Sequence, residues 1–194
     1  MNEERTRQLI HSMLTEGLGL DLSDPNLTDT PRRIAKMYCR EIFQNVGKEF
    51  DPTELRVFPN ERNYDQIIMS DAIFFASTCS HHFLPFTGRA WILYIPSMNM
   101  VGLSKLTRLV EFYSRRPQLQ EALCHDIINT FDRYLVPKGA MVVLRAEHGC
   151  MKCRGVCQHN GAGMITSAIS GCFTEDSIKR EGLDLIKISL LDRG

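Results

Sequence analysis

Apolar residues at helical spacing open the chain: Leu9, Ile10, Met13 and Leu14 predict a helix over residues 3–16, ended by Gly17 and Gly19. Thr30-Pro31 predicts a second helix, with Thr30 as N-cap, Pro31 at the first helical position, and Ile34, Met37, Tyr38, Ile42 and Phe43 as its buried stripe. Residues 47–63 carry Pro52, Pro59 and many charges and read as a linker. Ile67 to Met69 and Ala72 to Ala76 then predict a strand or strand pair, Phe83 to Phe86 a turn, and Arg89 to Pro96 another strand. Ser104 is expected to cap a helix whose core side is Leu106, Leu109, Val110 and Tyr113. Pro117 is expected to open the next, with Leu119, Leu123, Ile127, Phe131 and Leu135 inward. Met141 to Leu144 reads as a strand entered through the Pro137-Lys138-Gly139 turn, and Met164 to Phe173 as a further strand. Leu185 to Leu190 alternates well enough to predict a last strand, with no role assigned. No repeat or low-complexity segment interrupts the pattern. The division it suggests is a helical appendage over residues 1–50 and a main domain over 51–194.

Composition narrows the class of partner. The 194 residues carry 23 basic and 23 acidic side chains, a net charge of zero, which argues against a nucleic-acid binder. No apolar run approaches the ~18 residues of a membrane span. The start, Met1-Asn2-Glu3-Glu4-Arg5, has no apolar signal core, and seven cysteines are an odd number for a disulfide framework. The expectation is a reducing, cytoplasmic setting with free or metal-bound thiols.

The chemistry gathers at Glu147-His148-Gly149-Cys150-Met151-Lys152-Cys153-Arg154-Gly155. If the strand beginning at Met141 runs on through this stretch, alternation puts His148, Cys150, Lys152 and Arg154 on one face and Glu147, Met151 and Cys153 on the other. A second cluster is Cys79-x-x-His82, with His81 beside it. Cys79-x-x-His82 with Cys150-x-x-Cys153 has the spacing of a zinc site. A structural zinc would take four protein ligands, a catalytic one three plus water. The alternation favours Cys79, His82 and Cys150 with water fourth; the bland alternative is buried thiols and a core histidine. Zinc lowers the pKa of a bound water to about 7, and His81 and His148 are then placed for proton transfer. Glu121, in the first turn of its helix, is equally suited to compensating the helix dipole. Six cations, Arg33, Lys36, Lys105, Arg108, Lys152 and Arg154, suit a polyphosphate, and no glycine-rich phosphate loop is present.

Read together, these stretches resemble GTP cyclohydrolase I. The resemblance rests on Thr30 to Tyr38, Ser77 to His82, Gly102-Leu103-Ser104-Lys105, Arg116 to Glu121, His148-x-Cys150 through Arg154-Gly155, and the Thr166-Ser167 strand, in order over residues 21 to 173. It implies an α+β tunnelling fold, an antiparallel sheet with two helices inserted between strand pairs and preceded by N-terminal helices, assembled as homodecamers with sites at subunit boundaries. It implies zinc on Cys79, His82 and Cys150, proton transfer by His81 and His148, and guanine held by Glu121 beside Gln120. Triphosphate would lie on Arg33, Lys36, Ser104, Lys105, Arg108 and Arg154, and Lys152 matches a further family lysine. The reaction implied is hydrolytic opening of the GTP imidazole ring, loss of formate, and rearrangement to 7,8-dihydroneopterin triphosphate. One position departs: Ser80 stands where the family has glutamate in Cys-Glu-His-His. That motivates an alternative, a paralogue that stops at the formamidopyrimidine or uses another purine nucleotide. A non-enzymatic zinc-stabilised nucleotide module is a third reading, marked by a fourth protein ligand at Cys153.

Overall fold

The computed structural model describes residues 1–158 and 163–191. Helix α1 (Glu3–Ser12) runs on into a π-helical turn over Met13–Gly17, and α2 (Thr30–Met37) into another over Tyr38–Ile42. Asn2 caps α1 by accepting a hydrogen bond from the Arg5 backbone N–H. The N-cap position of α2 is Asp29, one residue before the expected Thr30, with Pro31 inside the first turn. The two helices bury Ile10, Leu14 and Ala35 in a small core of their own, with Ile34 and Tyr38 against it, whereas Met37 is exposed.

The predicted linker contains structure. Within residues 47–63, strand β1 (Val57–Pro59) pairs antiparallel with β5 (Asn99–Val101). The larger sheet runs β6–β3–β4–β7–β8, with β2 (Ile68–Met69) pairing β4 beyond the end of β3. Its strands are β3 (Ile73–Cys79), β4 (Pro85–Ile95), β6 (Pro117–Gln118), β7 (Gly139–His148) and β8 (Gly163–Gly171). All the pairings are antiparallel except the short β3–β6 contact. Between the β3–β4 and β7–β8 pairs the chain forms α3 (Leu103–Ser114) and α4 (Gln120–Leu135).

Both helices lie on one face of the sheet. Leu106 and Leu109 of α3 and Leu123, Ile127 and Phe131 of α4 pack against Phe75, Phe86, Ile92 and Tyr94. Burying each such side chain is worth about 1.5–3 kcal/mol, which fixes the helices over the strands. From Ala90 to Ile95 strand β4 is covered on both faces, so that half of it is continuously apolar rather than alternating.

The opposite face, at Trp91, Leu93, Met141 and Phe173, is covered by α6 (Asp176–Leu191), where a strand was predicted. The helix wins because Ile178, Gly182, Ile186 and Ser189 recur at helical spacing and meet that face: Gly182 and Ile186 are buried, and Ser189 accepts a hydrogen bond from the Trp91 indole at 3.2 Å. Two other boundaries move. The N-cap of α3 is Gly102, not Ser104, and Pro117 lies in β6, with α4 starting at Gln120. No helix among the described residues is long and apolar enough to cross a membrane.

Candidate active site

Strand β3 ends on buried Cys79, and the chain reverses within five residues into β4. The reversal is closed by two backbone bonds: Cys79 N–H donates to Leu84 C=O, and Phe83 N–H to Cys79 C=O, both at 2.9 Å. Phe83 is held at φ +55°, a left-handed conformation costly for a bulky residue, and its ring meets Phe43 edge-on at 5.5 Å. Ser80, His81 and His82 ride on this turn, all exposed. Ser80 is tied down through its backbone, N–H to Gln118 C=O at 3.2 Å.

The other half of the site comes from the end of β7. The expected run of strand through Arg154 does not occur: β7 stops at His148, and Gly149–Lys152 forms a single helical turn, α5. Gly149 is required there, because a Cβ at that position would lie 2.9 Å from the Pro85 carbonyl oxygen. The predicted shared face is therefore replaced. Lys152 pairs with Glu147, which lowers the Glu147 carboxyl pKa, and Cys153 and Arg154 are exposed.

Cys79, Cys150 and His148 converge, with one donor atom from each lying within 4.8 Å of the others. His82 is not in this group, nor is Cys153. Two thiols and an imidazole are a donor set suited to zinc. The Cys150 thiol is pushed up first by burial and then by its neighbour Cys79, since two adjacent thiolates repel. A divalent cation between them reverses that repulsion, so the residues fit the metal the sequence calls for.

A cavity of about 360 Å³ opens beside the three side chains, walled also by His81, Leu119, Gln120, Glu121, Met151 and Met164. His148 is fixed on two sides. Its ring lies parallel to buried Phe86, its directly paired neighbour on β4, with centroids 4.8 Å apart, and its Nε2 is 2.9 Å from Gln120 Oε1. Burial lowers the His148 pKa, with exposed Glu121 pulling it the other way.

A family model described as GTP cyclohydrolase I matches residues 6–187. The chain belongs to the GTP cyclohydrolase I family. It is 42% identical over 169 residues to GTP cyclohydrolase 1 of Streptococcus pneumoniae, covering 87% of this chain and 90% of that protein. It is 41% identical over 189 residues to GTP cyclohydrolase 1 of Bacillus subtilis (96% and 97% covered). The corresponding protein of Flavobacterium johnsoniae is 36% identical over 185 residues (95% and 82%). Two strand pairs with two helices between them, preceded by α1 and α2, are the tunnelling-fold arrangement expected for a GTP cyclohydrolase I.

The residues expected to hold phosphate do not line the cavity within one chain. Arg33 and Lys36 are exposed on α2, with Arg33 at 4.0 Å from Asp29. Ser104 is exposed and Lys105 half-buried in the first turn of α3, where backbone N–H groups favour an anion. Arg108, one turn on, pairs with Glu54 at 2.8 Å. Gln120, expected to hold guanine beside Glu121, lines the cavity with Glu121 and His81 but is itself buried, its side-chain amide bonded to protein groups. Phe86, Met151 and Met164 were not anticipated as site residues. Phe86 and Met164 arrive by strand pairing with β7, a relation no local spacing reveals.

Proposed function

We propose that this chain is a zinc-dependent GTP cyclohydrolase I, converting GTP to formate and 7,8-dihydroneopterin triphosphate. The observation that carries the reading is the convergence of Cys79, Cys150 and His148 beside the Glu121-lined cavity, in a chain of this family. Cys79, Cys150 and His82 would hold zinc, His82 turning inward from its exposed turn. His148, engaged at Nε2 by Gln120 and stacked on Phe86, is kept for proton transfer. When bound, zinc supplies Lewis acidity at a water molecule.

The remaining work falls to the protein's own groups. Glu121 can accept from the ring N–H and the amino group of guanine together, which orients the purine. His81 and His148 exchange protons with the purine and with water as the C8–N bonds break. Two hydrolyses open the ring and release C8 as formate, and one water is returned when the rearranged ribose closes onto the pyrimidine. The triphosphate would lie on Arg33, Lys36, Ser104, Lys105, Arg108 and Arg154, with Lys152 nearby. Because Arg33, Lys36, Ser104, Lys105 and Arg108 do not line the cavity in one copy, the assembly we infer is a homo-oligomer, a decamer by family likeness, in the cytoplasm.

Ser80 supports a second reading. A serine cannot carry the charge of the family glutamate on the histidine turn, which favours a product that stops at the formamidopyrimidine. Zinc-loaded protein given GTP should release formate and build a pterin chromophore. GTP left unconsumed with no formate released over a long incubation would defeat the proposal, and ring-opened nucleotide accumulating without pterin would favour the second reading.

A further inference from the structure

Gln120 is 1% exposed at the first residue of α4, and both polar atoms of its side chain are engaged inside the protein. Its Nε2 faces three acceptors: Leu144 C=O at 3.2 Å, Met164 C=O at 3.1 Å and Thr166 Oγ1 at 3.1 Å. Two of these are backbone carbonyls, which cannot donate. Exchanging the amide oxygen and nitrogen would set oxygen against oxygen in a buried space, so the amide has one workable orientation. Oε1 therefore points at His148, 2.9 Å from its Nε2. An oxygen acceptor there requires a ring N–H, so the proton of neutral His148 sits on Nε2 and the lone pair on Nδ1.

We infer that Gln120 is a positioning residue for the reaction, fixing the tautomer and ring direction of His148, and not a contact to guanine. The anchoring is long-range: β7 supplies the Leu144 carbonyl, β8 supplies Met164 and Thr166, and α4 brings the amide to both. Phe86 holds the ring plane from its other side. Together they leave His148 one way to take or give a proton, through Nδ1. This inference rests on the proposed role of His148 in GTP hydrolysis, but the tautomer itself is independent of that role.

The test has two arms. In the first, full-length protein labelled with ¹⁵N-histidine is studied by solid-state NMR, and the His148 signals are assigned by their loss in His148→Asn. The expected result in the unsubstituted protein is protonated Nε2 with unprotonated Nδ1, and a mixture of tautomers in Gln120→Met. Protonated Nδ1 with unprotonated Nε2 in the unsubstituted protein overturns the inference, whether or not any variant folds. In the second arm, Gln120→Met is expected to lower kcat for GTP by roughly 10–100-fold, as lost partners of site histidines do, with KM changed less than about threefold. A large rise in KM with kcat kept would mean that Gln120 contacts substrate, and would overturn it. An unsubstituted protein without GTP turnover would count against the proposed function, while the NMR arm still decides the tautomer.

Discussion

The imidazole of His148 and the ring of Phe86 are stacked, 3° from parallel with centroids 4.8 Å apart, and they face each other across the β4–β7 ladder. Phe86 is completely buried, so the histidine lies on a surface set by the core. Phe86→Leu should cost about 1–2 kcal/mol of stability, from lost volume and lost ring contact. It should also loosen His148. Denaturant unfolding measures the first effect, and the spread of His148 ring signals in NMR the second. Unchanged stability would mean that the ring is not part of the packed core.

The proposed metal set makes a sharp distinction between two histidines. Zinc content after exhaustive dialysis should fall strongly in Cys79→Ser, Cys150→Ser and His82→Ala. It should be retained in His148→Ala, which instead loses turnover, and in Cys153→Ser and Cys157→Ser, whose thiols are exposed. Retained zinc in His82→Ala with loss in His148→Ala would transfer the third ligand to His148, the imidazole grouped with the two thiols among the described residues.

Asp132 offers a pH-dependent test away from the site. Burial raises its carboxyl pKa, only partly offset by the hydrogen bond it accepts from Ser170 Oγ at 2.7 Å. The folded state thus favours the protonated form. Above the raised folded value it carries a penalty that the unfolded chain lacks. As pH falls through that value towards the unfolded aspartate pKa of about 3.9, the penalty disappears. Asp132→Asn keeps an acceptor for Ser170 and removes the ionisation. Its melting temperature should exceed that of the unsubstituted protein at neutral pH, and the gap should close in acid. A gap that widens in acid would contradict the direction of the shift.

Gly88 on β4 leaves no room for a side chain against β7: a Cβ there would be 2.0 Å from the Arg145 carbonyl oxygen. Gly88→Ala must push the two strands apart, and Phe86 and His148 with them. Low soluble yield or a loss of several kcal/mol is the expected outcome, since backbone cannot rotate away as a side chain can. A normally stable Gly88→Ala protein would show that the sheet yields there without cost.

Much of this was legible in the chain itself. Cys79, His81, His82, His148 and Cys150 stand out because two short motifs place metal-binding and proton-transfer groups close in sequence. The helices α3 and α4 show their buried stripes in Leu106, Leu109, Leu123, Ile127 and Phe131. What was hidden depends on distant partners. The strand expected to run into Arg154 gives way to a helical turn at Gly149, where the distant Pro85 carbonyl leaves no room for a side chain. The tail is helical because Gly182 and Ile186 find a sheet face that local alternation of Leu185 to Leu190 cannot announce. Gln120 reads as a companion of Glu121 because they are adjacent, yet adjacent residues at a helix start point apart. The partners that claim its side chain lie on β7 and β8.

The most direct measurement follows a single carbon. Zinc-loaded protein is given GTP labelled with ¹³C at C8, and the products are followed by NMR and mass spectrometry. Label should appear in formate, one equivalent for each unlabelled dihydroneopterin triphosphate formed. Label that stays in a ring-opened nucleotide, or in unchanged GTP, would contradict the account.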